Sequence, residues 1–278
     1  MSMLTNSAKA VKLKEGLHSA TPYNHTDIPD FGGLKVFVLP GAFYGSCCAL
    51  MAEAGCIKAD SIADADIVVF VGGEDVNPIL YNEKPVNSTY FTPSRDREEV
   101  IAYKEAVARR KVMFGICRGA QFLHVMNGGK LWQDVDGHAG RPHQMLDVET
   151  DTFLTVTSLH HQMLRDNPRL NIVGISVEQR TTRFEAENEV VHVGENSVQP
   201  GLEIEAGYYT DSRCFFVQGH PEIGTPQYRS WTMNKLFDFY EEAVMGDEGP
   251  DPDTTPTVIG LLTHQPSALE TEVLGQIG

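Results

Sequence analysis

The segment KVMFGICRGAQFLHVM, Lys111 to Met126, decides the fold. Its first six residues, Lys111 to Ile116, are the short apolar run of a strand buried on both faces of a parallel sheet. Ala120 to Met126 carries a helical pattern, and Gly115 and Gly119 frame one turn between the two elements. A strand that passes through a single sharp turn into a helix lifts the residue at the turn, Cys117, above the sheet edge. The free N–H groups and positive dipole end of the helix then lie beneath it. Both favour thiolate over thiol. Cys117 is therefore the candidate nucleophile, and Cys47, Cys48, Cys56 and Cys214 are read as structural cysteines.

Outward from this segment the chain alternates. Leu34 to Leu39 (LKVFVL) and Ile67 to Val71 (IVVFV) are further buried strands, the second stopping at Gly72-Gly73. Ala49 to Ala54 belongs to a helix, and Arg95 to Arg110 reads as another, with Val100, Ile101 and Val107 on one face. Strands alternating with helices predict a three-layer αβα sandwich with a mostly parallel sheet. The second half is less regular. Phe153 to Thr157, Arg169 to Val177, Val190 to Val193, and Ile204 to Tyr209 paired with Cys214 to Gln218 bring in a few antiparallel strands. Pro226 to Met245 reads as a closing helix with Trp231, Leu236, Phe237, Tyr240 and Val244 on its apolar side. The organisation expected is an irregular N-terminal arm over 1–33, a catalytic domain over 34–246, and an acidic, proline-rich linker and tail over 247–278. The tail would dock on the body or on a neighbouring subunit of a homo-oligomer.

Composition narrows the chemistry. The chain has 278 residues, 38 acidic against 22 basic, and a net charge of -16. That charge repels phosphate backbones, so nucleic acid is excluded as a partner and a small-molecule substrate is favoured. Five cysteines without CxxC spacing argue against a disulfide framework and fit a reducing cytosol. No apolar run reaches the roughly 18–20 residues of a membrane span, and the first thirty residues lack a signal-peptide core, so no membrane contact and a cytoplasmic location are expected. His138, His143, His160, His161 and His220 have no H-x-x-x-H spacing on a helix, so no metal is expected. Arg95 to Glu99 (RDREE) reads as a solvated helix start with at most a structural role.

A cysteine nucleophile needs a base, and the base needs an orienting group. His220-Pro221-Glu222 follows the strand Phe215 to Gln218 and supplies both, because residues two apart in extended chain point to the same side. The oxyanion of a tetrahedral intermediate needs N–H donors. Arg118 N–H follows the nucleophile, and Gly73, at the end of another strand, can turn a second amide inward.

Distributed motifs extend these readings. GGEDVNPILY (Gly72 to Tyr81), RDREE, GICRGAQFLHVMNGGKLWQDV (Gly115 to Val135), SLHHQ (Ser158 to Gln162), EIEA (Glu203 to Ala206) and VQGHPE (Val217 to Glu222) stand in order. Together they resemble a class I glutamine amidotransferase of the gamma-glutamyl hydrolase-like branch. The resemblance spans Leu34 to about Met245 and implies a flavodoxin-like α/β fold. It also implies Cys117 as nucleophile, His220 as general base and acid, Glu222 as its partner, and amides near Gly73 and Arg118 as the oxyanion hole. Gln121, His161 and Gln162 are implied to contact the glutamyl moiety or line the acceptor side of its pocket. Two departures stand out: His124 occupies a position where Asn is common, and Gly219 one where many relatives carry Trp, which would widen the pocket.

The reaction expected is cleavage of the gamma-amide of glutamine or a gamma-glutamyl amine through a Cys117 thioester, with no cofactor. The ammonia would pass to a separate ATP-dependent ligase or synthetase, since the chain carries no phosphate loop of the GxxxxGK[ST] type. The alternatives are a stand-alone gamma-glutamyl hydrolase with no partner and a catalytically silent interaction protein.

Overall fold

A computed structural model describes residues 19–193 and 202–245. The elements begin with β1 (Thr21–Pro22), β2 (Lys35–Val38), α1 (Tyr44–Glu53), β3 (Ile57–Lys58), β4 (Ile67–Phe70), α2 (Pro93–Ala108), β5 (Val112–Ile116) and α3 (Arg118–Met126). Six strands follow: β6 (Leu131–Trp132), β7 (Asp134–Val135), β8 (His143–Asp147), β9 (Thr152–Val156), β10 (Met163–Leu164) and β11 (Asn171–Ser176). The chain then forms β12 (Arg183–Ala186), β13 (Glu189–His192), β14 (Ile204–Tyr209), β15 (Cys214–Val217) and α4 (Pro226–Met245).

Among the described residues the main sheet runs β1-β9-β8-β11-β14-β15-β5-β4-β2-β3, with β10 and β6 attached through β14, while β13, β12 and β7 form a smaller sheet. From β15 to β3 every pairing is parallel; from β8 and β9 to β15 every pairing is antiparallel. The sandwich expected from the alternation is therefore present, with its antiparallel part in the second half.

Alternate residues of the central strands feed two helical layers, as the period of two requires. Ile67, Val69, Phe114, Ile116, Phe215 and Val217 pack towards Leu50 and Met51 of α1 and Trp231 and Leu236 of α4. Val68, Phe70, Met113 and Phe216 pack on the other side against Ala102 and Ala106 of α2 and Phe122 and Leu123 of α3. Trp132, Val135, Met163, Phe184 and Ala186 make a third cluster under the small sheet.

Two expectations change in part. α2 buries Asp96, Glu99, Ala102 and Ala106, with Val100 and Val107 partly buried against the same core as expected, while Ile101 is 59% exposed. Small alanines let the helix approach the sheet, and the acids are tolerated inside because they are paired. α4 buries Tyr228, Trp231, Met233, Leu236 and Phe239, while Val244 points to solvent. The described part of the arm is docked: β1 pairs with β9, Phe31 is buried, and Asp27 O accepts from Ser230 Oγ at 2.7 Å and Asn234 Nδ2 at 3.1 Å. Its turn residues limit the pairing to two positions without freeing it from the body. The linker and tail over 247–278 lie outside the described residues. Among those described, no helix is long and apolar enough to cross a membrane.

Candidate active site

Strand order brings the chemistry together. β5 lies between β4 and β15, all three parallel, with Phe70 opposite Gly115 and Val217 opposite Ile116. Neighbouring strands are about 4.8 Å apart. Chain leaving the three carboxyl ends therefore delivers Gly72-Gly73, Cys117 and His220-Pro221-Glu222 to one stretch of sheet edge.

The turn after β5 is tight. Cys117 has φ 54° and ψ -110°, and its N–H donates to Val217 O at 2.8 Å. A non-glycine residue at positive φ stores roughly 1–3 kcal/mol of strain, held by its surroundings. The flanking glycines make the surroundings possible. A Cβ on Gly119 would overlap the Phe70 carbonyl, and one on Gly115 would meet Gly119 O at 2.7 Å. α3 thus starts directly beneath the sulfur.

His220 stands between sulfur and carboxylate. Its Nδ1 lies 2.7 Å from Glu222 Oε1, and its ring is close enough to Cys117 for the sulfur to act on its charge. Burial disfavours the imidazolium, but the bonds and charges of Cys117 and Glu222 outweigh it, raising the His220 pKa to about 10. The backbone is held as well: His220 N–H donates to Thr157 Oγ1 at 2.6 Å, and that hydroxyl lies 3.1 Å from His220 O. Phe43, 41% exposed, sets its ring edge-on at 5.0 Å from the imidazole.

Gly72 and Gly73 close the other side. A Cβ on Gly72 would sit 2.7 Å from His220 Cε1 and 3.7 Å from Cys117 Cβ, so only glycine allows the backbone to lie against both. Gly73 has φ 153°, and any Cβ there would collide with the Arg95 guanidinium. Arg95 is the strut of this loop. Its Nη2 donates to Gly72 O at 2.9 Å and Val71 O at 3.2 Å, its Nη1 to Glu74 at 2.7 Å, and its Nε to Glu99 at 3.0 Å. The Arg118 amide, first in α3, has no intrahelical acceptor. The Arg118 side chain turns away from the site, 1% exposed, to pair with Asp96 Oδ1 at 2.6 Å and with Glu99.

RDREE is therefore not a solvated helix start. It ties the elbow to the glycine loop through Arg95, Asp96 and Glu99, with both acids 2% exposed. The available signal was the absence of an apolar stripe in the first turn of α2, which leaves the acids and Ala102 to face the core. Thr157 had no signal in the sequence.

The remaining predicted residues divide. Gln121 is buried, and its Nε2 donates to Gln162 O at 3.3 Å; Gln162 Nε2 donates to Gln133 O at 3.3 Å. His161 is held apart from this pair, with Nε2 2.9 Å from Asp75 Oδ1 and Nδ1 3.1 Å from Asp134 Oδ1. The Asp75 hydrogen bond is the main cause that lifts its pKa to about 9, against the effect of burial and with help from Asp134. Both ring nitrogens are thus occupied. Gly219 opens no extra room: Tyr228 and Thr157 fill the space, with Tyr228 Oη 2.6 Å from where a Cβ would lie. His124 is fully buried against Tyr209 Oη at 2.9 Å, and burial pushes its pKa down to about 4. Behind the triad residues, His138, His143 and Glu205 gather with ligand-capable atoms within 4.8 Å of one another, a grouping that local spacing did not announce.

Residues 49–222 match the peptidase C26 family. The chain is 35% identical over 121 residues to the glutamine amidotransferase-like protein YvdE of Lactococcus lactis, covering 36% of this chain and 51% of that one. It spans about half the length of that relative. To protein NtpR of Enterococcus hirae it is 30% identical over 201 residues, 64% of this chain and 75% of the relative. To the carbamoyl phosphate synthase small chain of Pasteurella multocida it is 30% identical over 123 residues, 44% of this chain and 27% of the relative.

Proposed function

The chain belongs to the peptidase C26 family of class I glutamine amidotransferase-like proteins, and on that footing we propose that it hydrolyses the gamma-amide of glutamine or of a gamma-glutamyl amine through a thioester on Cys117. The observation that carries this reading is the imidazole of His220 set between Cys117 and Glu222, with Nδ1 2.7 Å from the carboxylate.

In this reading Cys117 Sγ attacks the gamma-carbonyl while the Gly73 and Arg118 N–H groups receive the developing oxyanion. His220 gives its Nε2 proton to the departing ammonia or amine, and the raised pKa keeps that proton available at neutral pH. Water then attacks the thioester, His220 takes its proton, and glutamate leaves with Cys117 restored. Glu222 accepts from Nδ1 throughout and fixes the tautomer, while Gln121 and Gln162 offer buried amides near the elbow for the glutamyl end. Phe43, exposed at the rim, would contact the amine.

The purified chain, without any other protein, is expected to release glutamate from glutamine or from gamma-glutamyl amines over many turnovers. A glutamine-analogue alkylator should add one mass increment on the Cys117 peptide. Labelling at Cys47, Cys48 or Cys56 with Cys117 untouched would refute the assignment. A second reading, a glutaminase subunit for a separate synthetase, draws on similarity to a carbamoyl phosphate synthase small chain. It expects weak activity that rises when a co-encoded ligase is added.

Glu222→Gln tests the electrostatics. It removes one of the two groups that raise the His220 pKa, so the alkaline limb of kcat/KM, expected near pH 10, should move down by about 1–3 units. The turnover number should fall by about 10²–10⁴. The sign is the same for stability. A folded pKa above the ordinary 6.5 gives stabilisation that is complete below pH 6.5 and lost as pH rises through about 10. An unmoved alkaline limb in the variant would show that Glu222 does not act on His220.

A further inference from the structure

Behind the catalytic edge, three imidazoles converge on one carboxylate. His138 lies between β7 and β8, His143 opens β8, His160 follows β9, and Glu205 is on β14. All four are buried, His138 completely. Each ring turns its outer nitrogen to an oxygen: His143 Nδ1 is 3.4 Å from Arg141 O, His160 Nδ1 is 2.9 Å from Gln162 O, and His138 Nε2 is 3.5 Å from Glu203 Oε1. Gln218 Nε2 also approaches His160 Nδ1 at 3.1 Å, but it has Gln162 O as an acceptor at 3.0 Å. The inner nitrogens all face Glu205. His143 Nε2 is 2.9 Å and His138 Nδ1 3.5 Å from Oε1, and His160 Nε2 is 3.8 Å from Oε2. Ser158 Oγ is the other neighbour of His138 Nδ1, at 3.3 Å.

One carboxylate is shared by three imidazoles, and His143 Nε2 is hydrogen-bonded to it at 2.9 Å. An imidazole whose outer nitrogen carries the proton presents a lone pair at the inner one, the form in which a histidine ligates a metal ion. Among the described residues His160 Nε2 and Glu205 Oε2, which face each other inside the cluster, have no hydrogen-bond partner. Unpaired buried polar atoms are costly, and a cation placed between them would satisfy both at once. Outer nitrogens held by backbone carbonyls, as those of His143 and His160 are, are also the support that metal-bound histidines characteristically have.

We propose that the cluster is a structural zinc site, taking one Zn²⁺ through His138 Nδ1, His143 Nε2, His160 Nε2 and a Glu205 oxygen, with Glu203 as the outer partner of His138. Three nitrogens and one oxygen form a closed tetrahedral set suited to zinc, whereas calcium and magnesium seek oxygen ligands. Bonds of about 2.0–2.2 Å require a modest inward contraction from the 4.8 Å within which the His138, His143 and Glu205 atoms already lie. Burial gives the ion no open position for substrate, so its work is to join β8 and β14 to two loops. One of those loops carries Thr157, which holds the His220 backbone. The absence of local spacing reflects ligands drawn from four separate segments.

The test uses the full chain and zinc alone, with no activity readout. The chain is purified, assayed for metal, stripped with a chelator, and titrated with zinc chloride in competition with a chromophoric chelator. One equivalent bound more tightly than about 100 nM is expected, as for structural zinc, together with a raised Tm. Cobalt(II) loaded in its place should show the visible bands of a tetrahedral centre. Glu203→Gln should weaken binding about 10–100-fold, His143→Ala and His160→Ala by more, and Cys117→Ala not at all. A purified chain without zinc that takes up none from micromolar zinc chloride overturns the site and leaves a cluster held by protons. Zinc bound equally well by the histidine variants overturns it too, and this result concerns the wild-type fold even if one variant fails to fold.

Discussion

Cys117→Ala is expected to lower kcat by at least about 10⁴, leaving at most the residual acceleration that an oxyanion hole and binding can give without a nucleophile. The reason is chemical. Cys117 is the thiol that acts on the His220 ring, and the pKa of Cys47, Cys56 and Cys214 is raised, chiefly by burial. The fold should survive, because the substitution removes one sulfur and keeps the Cβ. Backbone strain at φ 54° remains in the alanine variant. Cys117→Gly should relieve it and raise stability over Cys117→Ala by about 1 kcal/mol, the strain released less the added unfolded-state entropy. Steady-state glutamate release and urea melts measure both effects. Glutamate release within tenfold of wild type from the alanine variant would remove Cys117 from the reaction.

Arg118→Ala is expected to be the most destabilising single change near the site, at about 3–5 kcal/mol, because it leaves the buried carboxylates of Asp96 and Glu99 without their shared cation. Arg95 still reaches Glu99 at 3.0 Å, so Asp96 bears more of the loss. Burial already pushes the Asp96 pKa up to about 6 against the pull of Arg118. A raised carboxylate pKa means the folded state binds more protons than the unfolded one between about pH 4 and 6. Stability from this group therefore falls as pH rises through that window. Without Arg118 the window extends upward, so the deficit of the variant should shrink as pH is lowered from 8 to 5. Arg118→Ala combined with Asp96→Asn should cost less than the sum of the single changes. A deficit under about 1 kcal/mol at pH 8 would contradict the pairing.

Legibility followed distance along the chain. The Cys117 turn could be read from the single segment Lys111 to Met126, because glycine placement and strand-to-helix periodicity act over a few bonds, and Cys117 does adopt the strained turn. His220 and Glu222 were readable for the same reason, since two-residue spacing in extended chain aligns side chains, and Nδ1 meets Oε1 at 2.7 Å. RDREE was misread because charge at a helix start normally means solvent; only the arrival of Arg118 makes Asp96 and Glu99 interior residues. The resemblance implied a pocket role for His161, but its ring nitrogens are committed to Asp75 and Asp134. The missing side chain at Gly219 promised space that Tyr228, nine residues later on α4, already occupies.

The amino-acid order alone determined an α/β sandwich, a cysteine on a sharp turn and a histidine with its carboxylate, since each depends on steric and periodic rules that operate within one element. Tertiary structure alone decided that β5 lies between β4 and β15, so that Cys117, Gly73 and His220 share one edge. It also decided that Arg118 neutralises α2 and that three histidines from separate segments face Glu205. Such meetings depend on which strands pair and which faces are buried against each other, a competition settled over the whole chain that no short window of residues encodes.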